Sequence, residues 1–592
     1  MCGISGVFSS HQKYHNLTEQ SIETLKHRGP DNTAVEKITD ILSFAHTRLS
    51  IVDLNPRSHQ PMTDQETGNK IILNGEIYNY KELKKQLPEE TFKTKSDTEI
   101  LLYLLKNKGY KKTLELCNGA FAFAFWDNVN KKLVLGRDRF GEKPLFYTIK
   151  NNSLFFASEA KAIFPFGIEK KVNHRAVVNY LFEGVLGANK YSFFENINQI
   201  ENSHYYVFSL NPKTEKLEQE EKSCFWTPPS KNIKIKYDDA VEKFRELLLD
   251  AVKIRLSDEV KFAVMLSGGL DSSAITSVAA KYNKDRQITA ISAIYPGNVL
   301  DESSFARTVT DKYKNLETIW VDDIDYDNFL KNIKHVTWQQ EIPIPDGSIV
   351  AQSILMQRIA EKGIKVVLSG IGGDEVLAGY PNIFYPAQIG NELKKLNFLN
   401  IRFRAIYHSL PNSLKNYIYI KKHKKLGIIK DKEIYKLFNQ RFKNRYKHED
   451  KLNEYLIHSL FQWTIPNMVW FEDRSSMTSS VENRSPLLDY RIADFLLSLP
   501  GNYKIDKVFT KKILREAMKD ILPEEIRTRK VKQGFHAPIK EWKKTMSFDF
   551  LNDKEFQNVF SYLNFKIIEK STFNIFWRTY ALHIWYNTFF KK

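Results

Sequence analysis

Cys2, directly after the initiator methionine, becomes a nucleophile with a built-in base once Met1 is removed, a processing step that a small second residue favours. The freed α-amine, with an ordinary pKa of about 8, accepts the thiol proton, so no histidine is required. A second chemistry lies in SGGLDSS at 267–273, where an apolar run, a glycine turn and a helical segment bring amides and hydroxyls onto one phosphate. The loop lacks the lysine of the GxxxxGK[ST] pattern, so it binds phosphate by another geometry. A third segment, KVVLSGIGGDE, also ends an apolar run in glycine and carries Asp374. Asp271 and Asp374 then fall at the ends of two neighbouring predicted strands, where hard carboxylate oxygens suit a cation; Asp374 taken alone reads first as a helix N-cap, a preference that the SGGLDSS loop reverses.

These residues need scaffolds. Residues 1 to about 205 alternate short β-branched and aromatic runs with turns, which predicts many strands and few helices. The polar segment NPKTEKLEQEEKSCFWTPPSKN, with its Pro-Pro pair, predicts an interdomain connector, with a boundary near 210–235. Beyond it, helical periodicity in YDDAVEKFRELLLDAVKIRL precedes three strand-and-glycine units ending KFAVMLSGG, ITAISAIYPG and KVVLSGIGGDE. That pattern predicts a doubly wound parallel sheet with ligands at the carboxyl ends of its strands, and a largely helical remainder after about 380. Domains are therefore expected at 2–210 and 235–592. Cys117 and Cys224 lack ligand spacing and predict ordinary thiols.

MCGISGVF, HRGPD from His27, RLSIVDL from Arg48, NGEIYNY from Asn74 and SDTE from Ser96 stand in the order and spacing of class II glutamine amidotransferase domains. GAFAFAFWD, RDRFGEKPLFY and FASEAKAI continue this resemblance in the pattern of asparagine synthetases. SGGLDSS resembles the pyrophosphate loop of adenylating ATP pyrophosphatases, and EDRSSM, VENRSPLLD and KVKQGFHAP resemble the synthetase signatures of the same family, so the likeness covers nearly the whole chain. The resemblance implies an α+β N-terminal nucleophile domain, with stacked antiparallel sheets between helices, followed by an α/β doubly wound parallel-sheet ATP-pyrophosphatase domain with a helical C-terminal part. It implies hydrolysis of glutamine at Cys2, with Asn74 and the Gly75 amide as oxyanion donors. Arg48 would pair the glutamine carboxylate, and Glu76 and Asp97 its ammonium. ATP would be held by Leu266, Ser267, Gly268, Gly269, Asp271, Ser272, Ile294, Ser369 and Gly370, Mg²⁺ by Asp271 and Asp374, and Lys532 would stabilise charge during attack on the activated acyl group. Ammonia would pass internally to an adenylate formed from aspartate and ATP, giving asparagine, AMP and pyrophosphate.

One position departs from the family pattern. The residue after SG in SGxGxDE is acidic in typical asparagine synthetases and is Ile371 here. Isoleucine can be neither acid nor base, so Glu472 or another carboxylate substitutes, or the acceptor differs, for instance a uronic acid in a surface polysaccharide. Asp473, Arg474, Glu482 and Arg484 read equally as ion pairs or substrate contacts. The formal charge of +18 raises a nucleic-acid-binding alternative, yet 391–451 alone holds 17 Lys and Arg against 5 Asp and Glu. That stretch predicts a solvated basic helix face, with an anionic surface as the alternative. No run approaches the roughly 20 apolar residues of a membrane span. The expectation is a cytoplasmic enzyme with small-molecule partners, no nucleic acid and no integral membrane association, a homodimer being the oligomer considered.

Overall fold

The computed structural model describes residues 1–184, 191–211, 213–298, 301–381, 421, 424–431, 433–434, 446–530, 546 and 548–591. Lys532 and most of 391–451 lie outside the described residues. The N-terminal strands are β1 (Gly3–Phe8), β2 (Asn32–Thr39), β3 (Leu42–Arg48), β4 (Met62–Thr63), β5 (Lys70–Ile77), β6 (Gly119–Asp127), β7 (Lys132–Arg137), β8 (Phe146–Lys150), β9 (Ser153–Ala157), β10 (Asn198–Gln199), β11 (His204–Asn211) and β12 (Lys216–Cys224). They form two antiparallel sheets, ordered β10-β8-β9-β1-β3-β2 and β12-β11-β7-β6-β5-β4. Period-two alternation makes each strand two-faced. In β6, Ala122, Ala124 and Trp126 enter the core between the sheets, while Phe121, Phe123 and Phe125 meet Leu101 and Leu104 of the helix Asp97–Lys108. Val7 and Phe155 of the other sheet pack outward onto Ile22 and Ile163. The result is helix, sheet, sheet, helix.

The polar run of β12, whose composition predicts a connector, is instead an edge strand paired along its length with β11. Its outward positions are exposed, so polarity there reflects a sheet edge facing water rather than the absence of a strand. The chain leaves the sheet only after Cys224 and enters the helix Tyr237–Lys253, which buries Ala240, Phe244, Leu248 and Ala251 at helical spacing.

The second half is built on five parallel strands, β13 (Phe262–Met265), β14 (Ile288–Ala293), β15 (Leu316–Val321), β16 (Val366–Leu368) and β17 (Glu482–Arg484), in the order β15-β14-β13-β16-β17. The order reverses between β13 and β16. Loops leaving the carboxyl ends of those two strands therefore diverge around a shared crevice, the place where doubly wound sheets bind ligands. The final helix, Phe573–Phe589, buries Phe576, Trp577 and Trp585 against an aromatic core shared with the helices before it. Among the described residues no helix is long and apolar enough to cross a membrane.

Candidate active sites

Two sites lie on either side of the boundary between the sheet sandwich and the parallel sheet. In the first, Cys2 precedes β1 and is 7% exposed. With Met1 in place its nitrogen is an amide that donates to Asn74 Oδ1 at 3.2 Å, and its carbonyl accepts from Arg28 Nε at 3.0 Å. Burial pushes the Cys2 thiol up, against the nearby terminal ammonium, the Leu49 amide and the Arg48 guanidinium, which favour the thiolate. Asn74 Nδ2 is fully buried and has no hydrogen-bond partner among the described residues. An unmet buried donor is costly, so one beside a nucleophile is poised for an oxygen that develops charge. Gly75 follows at φ +131, with Ala120 O only 2.1 Å from where a Cβ would stand, so no side chain is admitted.

Strand ends position the remainder of this pocket. Arg48 closes β3 and spends its guanidinium on the carbonyls of Val52, Asp53 and Asn55, with no carboxylate partner among the described residues. Its charge is thereby oriented yet not neutralised. Asp97 opens the helix Asp97–Lys108 and accepts from the amide of Ile77, the last residue of β5, at 2.8 Å. Arg48, Gly75, Glu76 and Asp97 line one pocket with Cys2, as does Glu482 from the other half of the chain. Burial raises the Asp97 carboxyl to about 6. It also raises that of Glu76, which Arg484 contacts and partly restores. Burial likewise opposes ionisation of Glu482, but the terminal ammonium, Arg484 and Lys143 outweigh it and hold Glu482 well below the usual carboxylate range. The Met1 ammonium lies 3.1 Å from Glu482 Oε2, an ammonium already accommodated in an acidic pocket.

The raised pKa of Asp97 has a consequence for glutamine use. An ammonium partner requires the carboxylate form, so the KM for glutamine is expected to rise as pH falls through about 6, when measured from about pH 5 to about pH 8. Asp97→Asn should show a high KM across that range. A KM in the variant that still tracks pH as in the parent would show that another group controls binding.

The four residues that sequence leaves undecided are all in ion pairs. Asp473 receives both Arg28 terminal nitrogens, at 2.9 and 3.0 Å, across the domain boundary, and Glu159 takes the same guanidinium at 2.7 Å. Arg474 meets Glu341 at 3.2 Å, and Arg484 reaches Glu482 at 2.8 Å as well as Glu76. Arg28 and Asp473 are 0% and 3% exposed, so removing one charge strands the other. Asp473→Ala should destabilise the chain by about 3 kcal/mol, moderated by Glu159, and lower the midpoint of urea unfolding. A change below about 0.5 kcal/mol would show the pair to be dispensable.

In the second site, the loop after β13 turns into the helix Leu270–Tyr282. Ser267 Oγ lies 3.0 Å from Ser272 Oγ, and the Gly269 amide donates to Ser267 Oγ at 3.3 Å. Leu266 and Ile294 continue β13 and β14, their amides donating to Ile291 O and Val321 O, at the carboxyl end of the sheet. Ser369 and Gly370 leave β16 opposite this loop. Ser369 N donates to Arg484 O at 3.0 Å, and a Cβ on Gly370 would stand 3.0 Å from the Ser272 amide. The topological reversal thus brings the two predicted phosphate segments together. Asp374 lies in the first turn of Gly373–Val376, with Gly372 as the N-cap, so the capping alternative does not hold. Arg529, three residues before Lys532, donates to Gly268 O at 3.2 Å.

Residues 1–220 match the model of the glutamine amidotransferase domain family, and residues 243–581 match that of the asparagine synthase family. The chain belongs to the asparagine synthase family. It is 28% identical to amidase chry2 of Gibberella zeae, over 92% of this chain and 90% of that protein. It is 29% identical to asparagine synthetase [glutamine-hydrolyzing] 3 of Bacillus subtilis over 92% and 90%, and 27% identical to asparagine synthetase [glutamine-hydrolyzing] 2 of that organism over 94% and 75%. It is accordingly a glutamine-hydrolysing, ATP-dependent ligase with small-molecule substrates.

Three pairings at the sites escape motif reading. Glu482 reaches the pocket of Cys2 from a distant strand, Arg484 braces Glu76, and Lys511 bridges Asp271 and Asp374. A charge-balance argument could have found the third, since two partly buried carboxylates side by side call for a cation. Glu472, the candidate substitute for Ile371, is buried beside Gln352, and burial pushes its carboxyl up to about 7. A carboxyl tuned to that range can give or take a proton at neutral pH.

Proposed function

We propose that this chain amidates aspartate, using nitrogen from glutamine, to give asparagine, AMP and pyrophosphate. The orphaned amide of Asn74, next to Cys2 in a pocket wall that also offers a guanidinium and carboxylates from Arg48, Glu76 and Asp97, supports the glutaminase half of this reading. After Met1 is removed, the Cys2 amine takes the thiol proton and the sulfur attacks the side-chain amide carbon of glutamine. Asn74 Nδ2 and the Gly75 amide hold the oxyanion, the C–N bond breaks to release ammonia, and water hydrolyses the thioester to glutamate. Arg48 holds the substrate carboxylate, and Asp97 with Glu76 its ammonium.

In the other half, the 267–272 loop and Ser369–Gly370 hold the ATP phosphates while a carboxylate oxygen of the acceptor attacks the α-phosphorus and pyrophosphate leaves. Asp271 and Asp374 converge on one cation position, at present filled by the Lys511 ammonium, and such a donor pair suits Mg²⁺. When bound, the metal neutralises charge on the departing pyrophosphate. Ammonia then attacks the acyl carbon and AMP leaves, with Lys532 as the proposed stabiliser of that charge and Glu472 as the acid–base group in place of Ile371.

Ammonia must stay unprotonated between the sites, which favours a dry route. Leu49 and Ile51 of the Cys2 pocket share one apolar cluster with Phe140 and with Val264, Leu266 and Leu488 at the nucleotide side. Incubation with ATP, Mg²⁺, glutamine and aspartate should yield asparagine and AMP in equal amounts. Glutamate release without asparagine would overturn aspartate as the acceptor.

A further inference from the structure

The cation between the two candidate metal carboxylates belongs to the protein. Asp271 and Asp374 sit in the first turns of two different helices, and the Lys511 ammonium contacts Asp271 and lies 2.6 Å from Asp374 Oδ1. Lys511 is 5% exposed and enters the helix Lys512–Ala517 from a left-handed backbone conformation, φ +54, which aims its side chain inward from a third element. Packing around the three is close. A Cβ on Gly379 would stand 1.9 Å from Asp374 Oδ1 and 2.4 Å from Lys511 Cε, and one on Gly373 would stand 2.5 Å from Asp271 Cγ. The space between the carboxylates therefore admits a single cation.

A divalent ion bound to one oxygen of each aspartate, at the roughly 2.0–2.1 Å of Mg²⁺ ligation, needs the volume that the ammonium fills. It also meets the ammonium charge at close range in a site with little water to screen it. We propose that Lys511 is an internal counter-ion that guards the metal position until a polyphosphate arrives, and then transfers its ammonium to phosphate oxygens. The protein thereby takes up its divalent ion together with nucleotide or pyrophosphate and discriminates against the metal alone. This rests on Asp271 and Asp374 being the metal carboxylates.

Mn²⁺ binding to the full chain, followed by electron paramagnetic resonance of the free ion with and without inorganic pyrophosphate, tests the proposal. The parent should bind Mn²⁺ weakly alone and at least about tenfold more tightly with pyrophosphate. Lys511→Met should bind Mn²⁺ alone at least about tenfold more tightly than the parent, and Lys511→Gln, whose amide still spans the carboxylates should the apolar variant fail to fold, should shift the same way. Asp271→Asn should abolish the protein-dependent loss of the free-ion signal in every case. Equal affinity for Mn²⁺ alone in the parent and both Lys511 variants overturns the counter-ion role while leaving the metal carboxylates standing. Absence of Asp271-dependent binding even with pyrophosphate overturns both.

Discussion

Replacing Cys2 by alanine is expected to abolish glutamine-dependent amide formation, by about 10³-fold or more, while ammonia-dependent formation stays within about twofold of the parent. The size follows from what the substitution removes. No other thiol is at hand, since Cys117 is buried in the core beneath the second sheet and Cys224 ends the edge strand β12. Water attacking in its place would keep the Asn74 donor and the amino-acid clamp but lose the covalent step, and an activated nucleophile is worth several orders of magnitude. Ammonia-dependent activity survives because the adenylating loops hang from a separate sheet. The measurement is amide and AMP produced with glutamine or with ammonium as donor. Glutamine-driven synthesis in the variant at more than a few per cent of the parent would remove Cys2 from its role.

Asp271→Asn should give the mirror result, with AMP formation lost by about 10²-fold or more and glutaminase turnover at Cys2 maintained. Asp271 is the point where the phosphate loop, the Ser369–Gly370 segment and Lys511 meet. Gly370 and Gly373 both crowd it, and the lysine contacts it directly. Asparagine keeps the shape, so packing against those glycines is preserved and the loss is one of charge. A carboxamide is a far weaker ligand for a hard cation and leaves the Lys511 ammonium with one carboxylate in place of two. Pyrophosphate release and glutamate release, measured on the same preparation, separate the two activities. Concurrent loss of both would indicate misfolding, and full retention of AMP formation would dismiss Asp271 as a ligand.

Legibility in the sequence followed the distance between partners. Cys2 stands in MCGISGVF and its proposed donors in NGEIYNY, each a short motif, and KFAVMLSGGLDSS carries a strand, a turn and the start of a helix in one stretch, so those features could be read locally. β17 could not. Glu482–Arg484 is three residues long and rich in charge, without the apolar run that marks a buried strand, and it pairs with β16 in register with Val366–Leu368. Its charges are buried because their partners come from residues hundreds of positions away. β12 misled in the opposite direction, since an edge strand with one wet face has the composition of a linker.

By itself the sequence determined the candidate chemistry of this protein: a thiol beside a prospective amine, a glycine turn suited to phosphate, and two carboxylates shortly after strand ends. Those depend on short-range covalent order, which local motifs record. Only the tertiary structure decided which charges meet. It set Arg28 on Asp473, Arg484 on Glu76 and Lys511 between Asp271 and Asp374, because a buried charge must find its counter-charge wherever the chain folds it, and sequence spacing holds no trace of that pairing.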